Sequence, residues 1–151
     1  MPKFVSDRDY DTIKKINKEL INNVLDTPIV LFKINTALTE TNSYGESKKT
    51  EWFLPVQIPC RVQRTEPTVK NDISVIDVEQ ECKFHFLRQE LIDRNVYPSK
   101  GDIIQFDNLY YEIDNTIEND LWGGQVDKKH SITCETHLSR RTYLQLEPPN
   151  V

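Results

Sequence analysis

The chain has 151 residues with 19 basic and 24 acidic side chains, a net charge of −5, 37% hydrophobic residues, four Gly, eight Pro, three Cys and two Trp. Leu, Ile, Val and Phe supply 43 of the 151 positions, enough to build one folded domain over residues 1–151 and too many for a chain that stays disordered. No apolar run approaches the ~20 residues of a membrane span, and the start, Met1 to Asp7, turns acidic where a secretory leader would be apolar, so a soluble, unexported chain is expected. Cys60, Cys82 and Cys134 are too few and too widely spaced for a disulfide framework, which points to a reducing compartment.

Charge is unevenly placed. Residues 1–100 carry 15 basic and 15 acidic side chains, whereas residues 101–151 carry four and nine. Asp102, Asp107, Glu112, Asp114, Glu118, Asp120 and Asp127 follow one another with no intervening Lys or Arg, a surface that would repel a phosphate backbone.

In chain order, the first predicted element is an amphipathic helix over residues 7–25. Ser6 is its N-cap, Asp7, Asp9 and Asp11 sit at the positive end of its dipole, and Ile13, Ile16, Leu20, Ile21 and Val24 recur at helical spacing. Asp26-Thr27-Pro28 ends it. Ile29 to Ile34 is short, apolar and β-branched, the signature of a buried strand. A polar loop over 36–50 follows, with no face to bury and more length than most connections need.

Val56, Ile58, Cys60 and Val62 then alternate with Gln57, Arg61 and Gln63, a half-buried strand that Pro55 and Pro59 confine to a sheet edge or bulge. Strands are predicted at Ile73 to Glu79 and around Cys82, Phe84 and Phe86, then a two-turn helix from Arg88 to Asn95 through Leu91 and Ile92. A turn at Lys100-Gly101-Asp102 leads into a hairpin, 103–106 and 110–113, then a Gly123-Gly124 loop, strands 131–138 and 141–146, and a tail at 147–151. Strands at this spacing with two helices and no βαβ rhythm predict a mainly β (α+β) fold: a small antiparallel β-barrel or sandwich over 29–146 with an N-terminal helix and a short inserted one. Its expected core is Val56, Ile58, Val62, Phe84, Phe86, Ile103, Tyr111, Ile113, Ile132 and Leu138.

No catalytic constellation emerges, and no enzyme is expected. There is no nucleophile elbow and the four glycines form no phosphate loop. Cys82-x-x-His85 and Cys134-x-x-His137 together offer two thiols and two imidazoles, a set that would suit zinc. On strands, however, positions three apart face opposite ways, so buried Cys and exposed His is the expected arrangement, with no metal and no cofactor. Arg61, Arg64 and Lys70 near Trp52-Phe53, and Arg140-Arg141 near Tyr143, are too sparse for a dedicated nucleic-acid surface.

Several stretches carry a resemblance. Thr41-Asn42-Ser43-Tyr44-Gly45-Glu46-Ser47 followed by Trp52-Phe53-Leu54-Pro55, then Asn95-Val96-Tyr97-Pro98-Ser99-Lys100-Gly101-Asp102-Ile103-Ile104, Tyr110-Tyr111-Glu112-Ile113-Asp114 and Gly123-Gly124-Gln125-Val126-Asp127-Lys128 resemble the neck and head-completion proteins of T4-like tailed bacteriophages. They also resemble the broader head-closure and head-tail joining family of small β-barrels. The likeness touches about residues 41–138. It implies a non-enzymatic virion protein at the portal vertex, assembled in the host cytoplasm. Its expected form is a hexameric ring that closes the DNA-filled head and provides the tail attachment site, between a portal or adaptor ring and tail-terminator or tail proteins, with no membrane partner. In that setting Tyr44, Gly45, Glu46, Trp52 and Phe53 are the expected subunit contacts. Asp102, Asp107, Glu112, Asp114, Glu118 and Asp120 are the expected acidic wall of a channel that DNA crosses without specific binding. A tail-completion or baseplate component and a small β-barrel binding module are the alternatives.

Overall fold

The computed structural model describes residues 6–45, 47–72, 75–121 and 124–139. Helix α1 spans Asp7–Glu19, capped by Ser6, whose hydroxyl accepts the Asp9 N–H at 3.2 Å. The helical path widens into a π-helical segment, Leu20–Leu25, and stops at Asp26, which takes a left-handed conformation with φ 40°. No side chain of α1 is buried; Ile21 in the π segment is. The helix is held instead by polar contacts: the Tyr10 hydroxyl donates to Lys129 O at 2.6 Å, Asn17 Nδ2 lies 2.9 Å from His130 Nε2, and the buried Lys128 ammonium reaches Asp7 at 2.9 Å.

Eleven strands follow among the described residues: β1 Pro28–Phe32, β2 Glu40–Thr41, β3 Ser47–Lys49, β4 Val56–Pro59, β5 Arg61–Arg64, β6 Thr68–Asp72, β7 Val75–Glu79, β8 Glu81–Leu87, β9 Ile103–Phe106, β10 Leu109–Asp120 and β11 Lys129–Leu138. Helix α2, Arg88–Asp93, lies between β8 and β9. Seven strands form one antiparallel sheet in the order β4-β1-β9-β10-β11-β8-β5. Its terminal strands β4 and β5 are separated only by Cys60. The two ends of the sheet therefore meet, and the sheet curls into a barrel in which one bent strand serves both flanks. The prolines that predicted an edge sit on that strand, Pro59 within β4 and Pro55 just before it.

The core follows the period-two pattern. Ile29, Leu31, Ile58, Cys60, Cys82, Phe84, Phe86, Ile104, Tyr111, Ile113, Ile132 and Cys134 are buried together, with Leu91 closing one end from α2 and Val56, Val62, Phe106 and Leu138 packed at the margin. Phe84 meets Tyr111 and Phe106 edge-on, with ring centroids 5.6 and 6.0 Å apart. Ile103 departs from expectation: it pairs with Phe32 while the adjacent Leu31 and Ile104 point inward, so Ile103 and Phe32 are buried on the other face of the sheet. In α2, Leu91 is buried as expected but Ile92 is exposed, since a six-residue helix lying on the barrel presents only one side to it.

Two other elements differ from the sequence reading. The polar segment 36–50 is not structureless: β2 and β3 pair as a small hairpin. Strand β7 also has an unpredicted partner, β6, with which it forms a second two-stranded arm. Polar residues such as Thr68 and Asn71 give β6 no apolar alternation to read. The expected strand 141–146 and the tail 147–151 lie outside the described residues.

Candidate partner interface

The excursion between β1 and β4 is built as a ladder with a cap. Beyond Phe32, Ile34 and Trp52 form an isolated antiparallel bridge. Asn35 N–H donates to Glu51 O and Phe53 N–H to Lys33 O, both at 2.8 Å. From this base the β2–β3 hairpin turns through Asn42 to Gly45. The Asn42 side-chain oxygen accepts the Tyr44 N–H at 3.0 Å, its carbonyl accepts the Gly45 N–H at 3.0 Å, and Gly45 takes φ 81°, a conformation that a side chain would disfavour. Tyr44 is 89% exposed and Phe53 51%, whereas Trp52 is half-buried within the bridge. Glu46 lies outside the described residues. The structure adds Leu38 and Leu54, 65% and 66% exposed, which the sequence reading passed over. For Leu38 the available signal was an apolar residue in an otherwise polar stretch; for Leu54 it was its place directly after Trp52-Phe53.

The acidic residues do not form one wall. Asp102 is 2% exposed and serves the fold: its carboxylate accepts the Ser99 N–H at 2.8 Å and the Ile34 N–H at 3.1 Å, with the Lys33 ammonium 3.4 Å away. Asp107, in the β9–β10 turn, pairs with Arg64 at 2.8 Å. Glu118 faces Arg88 and Lys129 and accepts the Tyr97 hydroxyl at 3.2 Å, while Asp120 lies 3.3 Å from Lys129. Glu112 is the cross-strand neighbour of His137, whose Nδ1 lies 2.8 Å from both Asp114 carboxylate oxygens. A bulge between Ile113 and Asn115 shifts the register and sends later residues of β10 to the opposite face. The run of acids in sequence is thus divided among four places, and the cations that offset it come from other strands and helices.

The two Cys-x-x-His pairs separate as strand geometry requires. Cys82 and Cys134 are buried inside the barrel, while His85 and His137 stand on the outer face, so the four do not converge. Burial raises the Cys82 thiol to about 11 and the Cys134 thiol to about 12, and raises Cys60 as well, leaving all three protonated at neutral pH. His85 is held below its ordinary value by burial and then by Arg61 and Lys83; its Nδ1 lies 3.0 Å from Thr133 Oγ1.

Compared with known proteins, the chain matches no family model and no curated protein. Among solved structures it is similar to a chain of the virion of a native gene transfer agent (GTA) particle, at 12% sequence identity and a TM-score of 0.48, over 73% of this chain and 90% of that one.

Proposed function

We propose that this chain is a structural protein of a tailed-bacteriophage virion, a subunit of the hexameric neck ring that closes the filled head and receives the tail. The observation that carries the reading is the β1–β4 excursion. Leu38, Tyr44, Phe53 and Leu54 are exposed on an ordered projection, where nothing in the barrel's own packing requires them. Such side chains are suited to a partner contact, and aromatic residues on rigid supports are the usual anchors of one. The segment bearing them also belongs to the motifs that resemble the head-completion family. In this reading the excursion meets a portal or adaptor ring or a tail protein, and the role is assembly without a reaction. The channel-lining role contracts to Glu112 and Asp114, which share a region around His137.

The test is deletion of Asn42 to Lys48. The hairpin does not pair with the barrel sheet, so the thermal midpoint of the isolated chain should move by no more than a few degrees. Particles assembled with the deleted chain should be filled heads that leak DNA or lack tails. Tailed, infectious particles from the deletion would overturn the proposal.

A further inference from the structure

Helix α1 rests on the barrel without packing into it. Ile13 is only half-buried and Ile16 is exposed; the next buried apolar residue is Ile21, beyond the helix in the π-helical segment. Two clefts between helix and barrel, of about 230 and 240 Å³, reach His130, one beside Lys14 and one beside Asn17 and Leu20. Up to Asn17 the contacts are polar: Asp7 with Lys128 at 2.9 Å, the Tyr10 hydroxyl to Lys129 O at 2.6 Å, Lys14 to Gln89 at 3.2 Å and Asn17 Nδ2 with His130 Nε2 at 2.9 Å. Past that point the chain is pinned, since Lys18 lies 3.3 Å and Asn22 Nδ2 3.1 Å from the buried Glu90 carboxylate.

His130 is the ionisable group under this helix. With Asn17 presenting an N–H to Nε2, the ring accepts there and is neutral; a protonated ring carries its own N–H at that atom. Turning the Asn17 amide over restores the bond but leaves the charge. Its charged and titratable surroundings are Tyr10, Asp11, Lys14, Lys15 and Lys18 from α1, Arg88 from α2, Arg61 from β5, His85 from β8, Lys129 from β11 and Asp127 from the loop before it. Two carboxylates thus stand among six cations. Burial, and then Lys14, holds the imidazole below its ordinary value, and both Lys14 and much of what covers the ring belong to α1.

We propose that α1 is an acid-released arm: protonation of His130 detaches the helix up to Asn17 from the barrel, pivoting it on the π-helical segment while the sheet stays closed. The reason is linkage. Lifting the helix takes away Lys14 and uncovers the ring, so the imidazole returns toward its ordinary value of about 6.5 and binds a proton more readily than when docked. Docking is therefore strongest above about pH 6.5 and weakens as pH falls through the lowered value. For a ring that is ordinary when released and stays neutral when docked, release at pH 5.5 is favoured by at most about tenfold. None of the pairing that builds the sheet involves α1, so the barrel need not open with it.

The test is amide hydrogen exchange of the full-length chain at pH 7.5 and pH 5.5, corrected for the intrinsic pH dependence of exchange. Protection of α1 should fall about three- to tenfold at the lower pH while β8 and β11 keep theirs. His130→Gln, which keeps a polar side chain beside Asn17 and cannot be protonated, should abolish that fall. His85→Gln should not, because the cations that lower His85, Arg61 and Lys83, are not on the helix. The reciprocal measurement is the titration of the His130 ring protons by NMR: loosening the helix with Tyr10→Phe and Lys14→Gln should raise the His130 pKa toward 6.5. Protection of α1 that is the same at both pH values, a fall that survives His130→Gln and so belongs to carboxylates such as Asp7, or a His130 titration indifferent to the helix substitutions would each overturn the proposal.

Discussion

Asp102 is the side chain on which the approach to β9 depends. It joins the Ser99–Gly101 turn to the end of β1 through two backbone donors and Lys33, while Gly101, at φ 91°, donates to Ile113 O at 2.9 Å. Asp102→Ala leaves those donors without an acceptor, and a loss of about 2 kcal/mol is expected in urea unfolding, with Asp102→Asn retaining part of it. The buried thiols give a second residue-level outcome. Protonated and enclosed, Cys60, Cys82 and Cys134 should react with a thiol reagent only as fast as the barrel opens, and the rate should rise sharply across the unfolding transition. His85 and His130 both have folded-state values lowered from about 6.5 by burial. Between the lowered and the ordinary value the unfolded chain binds more protons than the folded one, so their contribution is present above about pH 6.5 and is lost as pH falls through the folded values. Urea midpoints should therefore drop over that window, and His85→Gln with His130→Gln should flatten the dependence.

The elements divide by how much of their fate is local. Strand β8 was legible because Cys82, Phe84 and Phe86 alternate with polar residues, and its burial follows that alternation from Glu81 to Phe86; Leu87, at the end of the strand, is buried as well. Helix α1 was legible from its cap and its 3/4 spacing, yet Ile16, and Leu20 and Val24 in the π-helical segment that continues it, remain exposed, because periodicity identifies an apolar face without saying what covers it. The π-helical end was not legible: a wider turn carries no composition of its own. Strand β10 runs well past Ile113, the end expected from sequence, since Asn115 to Asp120 is polar but for Ile117 and is held by pairing with β11 rather than by apolar alternation. The candidate interface was half legible. Tyr44 and Phe53 stood out as aromatics in or beside a polar loop, but Trp52 proved to be part of the bridge to Ile34, and Asp102 was removed from the surface by hydrogen bonds formed after the chain has folded back on β1. At this scale Phe53→Asp together with Leu54→Asp should change the thermal midpoint of the isolated chain by no more than a few degrees while abolishing binding to a neighbouring ring in co-sedimentation.

For the molecule as a whole, the decisive feature is the bend at Cys60. Because β4 and β5 are two halves of one strand, the sheet, among the described residues, offers two short unpaired stubs, each four residues long. One stub contains Pro59 and follows Pro55; the other carries Arg61 and Arg64. Both devices discourage another chain from adding a strand. In the proposed ring, where copies would lie side by side, such edges would keep copies from joining through their backbones and leave association to side chains, whose identity can be selected. Pro59→Val combined with Arg61→Val and Arg64→Val should remove that protection, so that the variant precipitates through intermolecular β-structure, visible as a low-frequency amide I band in infrared spectra, well below the temperature at which the barrel melts and where the unaltered chain does not.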